Sequence, residues 1–191
     1  MQDMADIETR VLDLLWQRKG TRAISGRPVE REKVEAMLEA ARLAPSCRNN
    51  QPWRFLVLDE PEALEKGRAT LSKVNGWAAT APLLVAAYSR PDLDCRSRDG
   101  REFYLFDLGL AVENLMLQAT ELDLVARPMA GFSQRRLKAA FGVPDECVVA
   151  VVVAVGYEGD VSALSEEDRR ASRAPRRRRP LGEIVRFNRL E

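Results

Sequence analysis

The sequence predicts an α+β fold, a single sheet covered by helices on both faces, and three observations predict it. Val148 to Val155 is an almost unbroken β-branched run, a composition that fits a pleated strand. Its continuous hydrophobicity implies that both faces are covered. The order of elements is helix, helix, strand, helix, strand, long helix, strand, short helix, strand and tail, which is not a regular βαβ alternation. Finally, no G-x-G-x-x-G follows a strand, so a dinucleotide-binding Rossmann unit has no support. With 191 residues, of which 46% are hydrophobic, one domain over residues 1–191 is the expectation, at roughly 150 residues per domain.

The elements follow in order. Met1 to Trp16 places Ile7, Val11, Leu14 and Leu15 at helical spacing among acidic residues, the pattern of an amphipathic helix and not of a transit peptide. Val29 to Leu43 carries Val34, Met37, Leu38 and Ala41 on one face, so it is a surface helix packed on the core. Pro28 stands near its start, where proline is tolerated. Phe55–Leu58 and Leu83–Ala87 read as buried strands, with a helix from Pro61 to about Leu71 between them. Leu105 to Leu122 is the most apolar helix. Asp107, Glu113 and Glu121 interrupt it, so it is not a membrane span. Two readings are open for it: a core helix of a monomer, or a helix partly covered by a second subunit. Gln134 to Phe141 is a short helix that ends at Gly142, Val143 and Pro144.

Composition excludes several classes of function. The net charge is only +1, so no global field attracts nucleic acid or an anionic membrane. There is no histidine, which removes the commonest general base, any Ser-His or Cys-His dyad and most zinc sites. Cys47, Cys95 and Cys147 are odd in number, contain no C-x-x-C and follow no secretory leader. A reduced, cytoplasmic location is therefore expected.

The most informative stretch is Ala44-Pro45-Ser46-Cys47-Arg48-Asn49-Asn50-Gln51-Pro52-Trp53. It packs a hydroxyl, a thiol, a guanidinium and three carboxamides between two prolines, which limit the backbone at both ends. Carboxamides both donate and accept, which suits a flat heterocycle or a sugar-like chain. P-S-x-x-N-x-Q-P-W before an apolar strand resembles the signature loop of the FMN-dependent nitroreductase family. Further elements match in the family's order. Arg18-Lys19-Gly20-Thr21-Arg22 resembles its R-R-S-x-R element, and Asp107-Leu108-Gly109 with Asn114-Leu115-Met116-Leu117 resembles its central helix. Pro128-Met129-Ala130-Gly131-Phe132 resembles its second flavin loop, and Arg178-Arg179-Pro180-Leu181-Gly182-Glu183-Ile184-Val185 its R-K-P-L-x-E-I-V segment.

This resemblance implies a mostly antiparallel central sheet, an interlocked homodimer, bound FMN, and NAD(P)H as co-substrate for a small-molecule electron acceptor. It assigns Arg18, Lys19, Arg176 and Arg178 to the FMN phosphate and Arg22 to the pyrimidine edge of the ring, where a cation favours the reduced flavin. Pro45, Ser46, Cys47 and Asn49 fall near the flavin of the opposite subunit. Cys47 reads there as a small packing residue, because free cysteine behaves as a buried hydrophobe; a redox thiol has no evident resolving partner. Gln51 fixes the loop and Trp53 belongs to the core. Met129, Ala130 and Gly131 lie over the ring, Gly131 permitting close approach, and Asn75 corresponds to a ring-contacting asparagine. The charged segment Arg90 to Arg101 lies where the family shapes substrate access. One departure stands out: Gly20 replaces the usual serine, so a hydroxyl donor is missing.

Residues 165–191 hold nine Arg and five Asp or Glu, including the run Arg176 to Arg179. Three readings are open for this basic extension, from about 160: a solvated arm, a nucleic-acid arm without aromatic interleaving, or, from the resemblance, a segment that crosses to the partner subunit. The last is favoured, with no nucleic-acid and no membrane partner. The same fold could also serve reductive dehalogenation or flavin breakdown. A non-catalytic flavin- or partner-binding module is the alternative of another class.

Overall fold

The computed structural model describes residues 11–190. The expected helix over Met1 to Trp16 lies mostly outside them, and its described end is α1, Asp13–Gln17. Then come α2 (Arg31–Arg42), β1 (Arg54–Leu58), α3 (Pro61–Arg68), β2 (Leu83–Ser89), α4 (Phe103–Glu121), β3 (Leu124–Met129), α5 (Gln134–Phe141), β4 (Val148–Tyr157), α6 (Glu166–Arg173) and α7 (Leu181–Ile184). A run of 3₁₀ turns, Lys73–Thr80, connects α3 to β2.

The four strands form one sheet in the order β1-β2-β4-β3, with every neighbouring pair antiparallel. The β-branched run of β4 is central, which is why both of its faces are apolar. Val153 and Val155 face one layer with Leu83 and Val85 of β2, against α2 and α4. Val152 and Ala154 face the other layer with Leu84 and Ala86, against α3, α5 and Trp77. The expected two-sided cover is therefore present, and the alternation along β2 and β4 divides one sheet between two cores.

Helix α4 runs through the first core with Leu108, Ala111, Leu115 and Ala119 at most 1% exposed, while Phe106 on its other face is 63% exposed. The helix is thus neither wholly a core helix nor wholly covered. Trp53 is buried in the same core, as expected. Ahead of α2, residues 23–25 run beside the end of β4: Ser25 N–H donates to the Tyr157 carbonyl (2.8 Å) and Gly159 N–H to that of Ala23 (2.9 Å). Gly159 is needed for this approach, since a Cβ there would stand 2.8 Å from Ser25 N.

Candidate functional site

The pairing of residues 23–25 with the end of β4 carries Arg22 to the edge of the sheet. Its guanidinium meets Asp168 of α6 at 2.5 Å, and its backbone N–H donates to the Ser172 hydroxyl at 3.0 Å. Helix α6 is capped by the Ser165 side chain, which accepts from Asp168 N–H. That hydroxyl, followed by the Arg22 pairing, holds the Asp168 carboxyl below its usual range. Arg127 of β3 lies behind, 5.3 Å from the Trp77 ring centroid. Burial, and then the Arg22 charge, push its guanidinium down. Two donors in this region, Arg22 Nε and Trp77 Nε1, are buried without a partner.

Beside Arg22 is a cleft of about 510 Å³ between the end of α1 and the segment after α6. Arg18, Lys19, Arg176 and Arg178, expected together at a phosphate, all line it. Arg176 is fixed by donation to the Leu15 carbonyl (2.6 Å), and burial pushes its guanidinium down. Lys19 pairs with Glu158 at 2.9 Å on the rim. Within the single chain, residues 162–176 therefore lie against its own N-terminal segment. Farther on, Leu181, Ile184, Phe187 and Leu190 are exposed.

The second expected loop is clamped through one atom. The Gly131 carbonyl accepts from Ser72 N–H (2.9 Å), Ser72 Oγ (2.8 Å) and Asn75 Nδ2 (2.8 Å). Asn75 thus spends its carboxamide on holding the loop. Met129 is buried and Ala130 exposed. A Cβ on Gly131 would stand 2.4 Å from Ser72 Oγ, so only glycine permits this approach.

Pro45, Ser46, Cys47 and Asn49 form a separate group; among the described residues no hydrogen bond or ion pair joins it to the arginine cleft. Their turn is tight, with positive φ at Arg48, Asn49 and Gln51. The Ser46 hydroxyl accepts from Gln51 N–H (2.9 Å), and Gln51 Nε2 donates to the Asn49 carbonyl (3.1 Å), so Gln51 does fix the loop. Pro45 and Asn49 are exposed.

Cys47 corrects the sequence reading. It is not a free packing residue but is disulfide-bonded to Cys95, 48 residues away, and Cys147 is the buried free thiol. The partner was missed because the charged segment that holds Cys95 is brought to the turn only by the fold. Beneath the bridge lie two buried carboxyls. Cys47 N–H donates to Asp107 Oδ2 (2.7 Å), and Cys95 N–H and Asn50 Nδ2 donate to Asp94 Oδ1 (2.7 and 3.2 Å). Burial pushes Asp107 up, as does Asp94 beside it. A carboxylate set among the apolar residues of the most apolar helix was the available signal for Asp107. For α6 it was Ser165-Glu166-Glu167-Asp168, a capping pattern.

A family model described as the nitroreductase family matches residues 15–157. A protein of Archaeoglobus fulgidus, provisionally named an NADH dehydrogenase/NAD(P)H nitroreductase, is 30% identical over 163 residues, 83% of this chain and 91% of its own. Among solved structures, an oxidoreductase containing FMN superposes with TM-score 0.86 at 30% identity, covering 95% of this chain and 93% of its own. A nitroreductase family protein from Clostridium difficile 630 gives 0.76 at 31% identity, covering 93% and 98%.

Proposed function

The chain belongs to the nitroreductase family, and from that premise we propose that it is an FMN-dependent oxidoreductase working as a cytoplasmic homodimer, with NAD(P)H as electron donor and a nitroaromatic, quinone or similar organic acceptor. One observation carries the proposal: four cations from the two ends of the chain, Arg18, Lys19, Arg176 and Arg178, line one cleft. That donor set suits a phosphate dianion. The buried, unpartnered Arg22 Nε and Trp77 Nε1 call for acceptors, which a ribityl chain and a flavin edge carry. The residues present fit FMN.

When bound, FMN supplies two-electron chemistry, accepting hydride from NAD(P)H and reducing the acceptor in a ping-pong cycle. The chain's own residues bind and tune. The cleft cations hold the phosphate, with Glu158 opposing them. Arg22 places positive charge at the pyrimidine edge, moderated by Asp168. Asn75 and Ser72 fix the Gly131 backbone, which with Met129 and Ala130 before it would lie against the ring. Pro45, Ser46, Cys47 and Asn49 are offered to the partner's site, which agrees with their separation from the cleft in one chain. No protein acid or base is required, in keeping with the absence of histidine. Among the described residues no helix is long and apolar enough to cross a membrane.

The visible absorption spectrum tests this. The purified protein is expected to be yellow, or to become so with added FMN, and to release FMN on heating. Release of FAD alone would overturn the cofactor assignment.

A further inference from the structure

We infer that Cys47 and Cys95 form a redox-active dithiol–disulfide centre, served by the buried carboxyl pair Asp94 and Asp107, whose reduction unties the 46–51 turn from the 90–101 segment. The bridge joins two irregular segments 48 residues apart, and both cysteines are half-buried, not sealed in the core. Exposed disulfides are the labile ones, and disulfides of cytosolic proteins are usually redox-active.

The surroundings suit both redox states. Asp107 is 2% and Asp94 9% exposed. Asp94 Oδ2 is buried and has no hydrogen-bond donor. The two sulfurs and an Asp94 oxygen lie within 4.8 Å of one another. Burial and the neighbouring Asp94 push Asp107 up from the ordinary carboxyl range, and the Cys47 N–H ties its carboxyl to the bridge. The groups that face it are Asp94, the Cys47 N–H and, through Asp94, Asn50.

The reductant is a dithiol. One of its thiols passes its proton to the carboxyl pair and attacks one sulfur as the thiolate; the S–S bond breaks, and the departing cysteine thiolate takes that proton. The second thiol of the reductant then displaces the first cysteine, closing its own disulfide. Two electrons and two protons pass to the protein, giving two cysteine thiols. Disulfide exchange with an oxidant reverses the sequence. The turn beside the tie holds Arg48, Asn49 and Gln51 at positive φ, a conformation that such side chains keep only when their surroundings enforce it. This rests on the cytoplasmic location proposed above but not on the bound flavin.

The full-length protein, without added flavin, is equilibrated in mixtures of reduced and oxidised glutathione, alkylated and analysed by mass spectrometry. Cys47 and Cys95 are expected to change label together, while buried Cys147 stays unlabelled. A bridge that survives excess glutathione and dithiothreitol, and opens only in denaturant, would show a purely structural disulfide. Asp107→Asn is expected to slow reduction by dithiothreitol about a hundredfold, the lower end of general acid–base catalysis, and to flatten its pH profile. Asp94→Asn is the second variant should the first not fold; unchanged rates and profiles in the folded variants refute the proton role. Trypsin should cut at Arg96, Arg98 and Arg101 roughly tenfold faster after reduction, as local opening predicts, and equally fast in Cys47→Ser. Equal cleavage of the oxidised and reduced protein refutes the untying.

Discussion

Gly131→Ala tests the clamp on the second loop, and its cost can be worked from the structure. The new Cβ would stand 2.4 Å from Ser72 Oγ and 2.9 Å from Asn75 Nδ2. Gly131 has no positive φ, so alanine brings no backbone strain of that kind. Both crowded atoms are the ends of side chains and can rotate away. They are also the two side-chain donors to the Gly131 carbonyl, at 2.8 Å each. Relief of the clash therefore removes both hydrogen bonds, at about 1 kcal/mol apiece. The expected loss is about 2 kcal/mol, or a Tm fall of roughly 4–8 °C for a domain of this size.

The controls come from a mutant cycle. Ser72→Ala with Asn75→Ala deletes the same two bonds and should cost about the same ~2 kcal/mol. Adding Gly131→Ala to that background should then cost almost nothing, because the atoms it displaced are gone. Urea denaturation of the flavin-free proteins measures all the corners. If Gly131→Ala destabilises the doubly substituted background as much as the native one, the clamp is not the cause and the reasoning fails.

Three further outcomes are expected. Arg22→Gln should make bound flavin harder to reduce by ~30 mV, the equivalent of about 1.4 kcal/mol for a two-electron couple, and Asp168→Asn should shift the midpoint the opposite way; spectroelectrochemical titration decides, and unchanged potentials in both remove the pair from the ring. The folded pKa of Asp168 is depressed, so its stabilisation of α6 is complete above the ordinary carboxylate range and is lost as pH falls through the lowered value. Hydrogen exchange in α6 should accordingly rise only below about pH 4, and Asp168→Asn should abolish that dependence. Deleting residues 176–191 removes Arg176 and Arg178 from the cleft together with the exposed Leu181, Ile184, Phe187 and Leu190; dimer and FMN binding should be lost together, and a truncated chain that keeps both would make the tail a solvated arm.

What was legible in the sequence was what local pattern encodes. The β-branched run of β4 and the apolar periodicity of α2 and α4 gave their elements within a few residues, because burial on one or both faces imposes that pattern. Helix α6 was read only as part of a basic arm, since polar residues fill it and its docking depends on Arg22, 146 residues away. The Cys47–Cys95 bridge was invisible for the same reason: nothing in 48 intervening residues marks the pairing. Asp107 read as an interruption of an apolar helix and proved to be the buried acceptor of the Cys47 N–H. The Lys73–Thr80 turns carry no strong period, yet they supply Asn75.

Gly20 shows how far such dependence reaches. In the sequence it is a missing hydroxyl. In the fold, a Cβ on Gly20 would stand 3.3 Å from Arg127 Nη1, closer than most such contacts allow, so a serine there would need that guanidinium to give by about a few tenths of an ångström. Arg127 lies over Trp77 and feels the charges of both Arg22 and Asp168, so its shift would be read at Arg22 as well. Substitution of Gly20 is thus coupled to a residue 107 positions later, and the departure at Gly20 follows from how the chain fills the edge of its cleft.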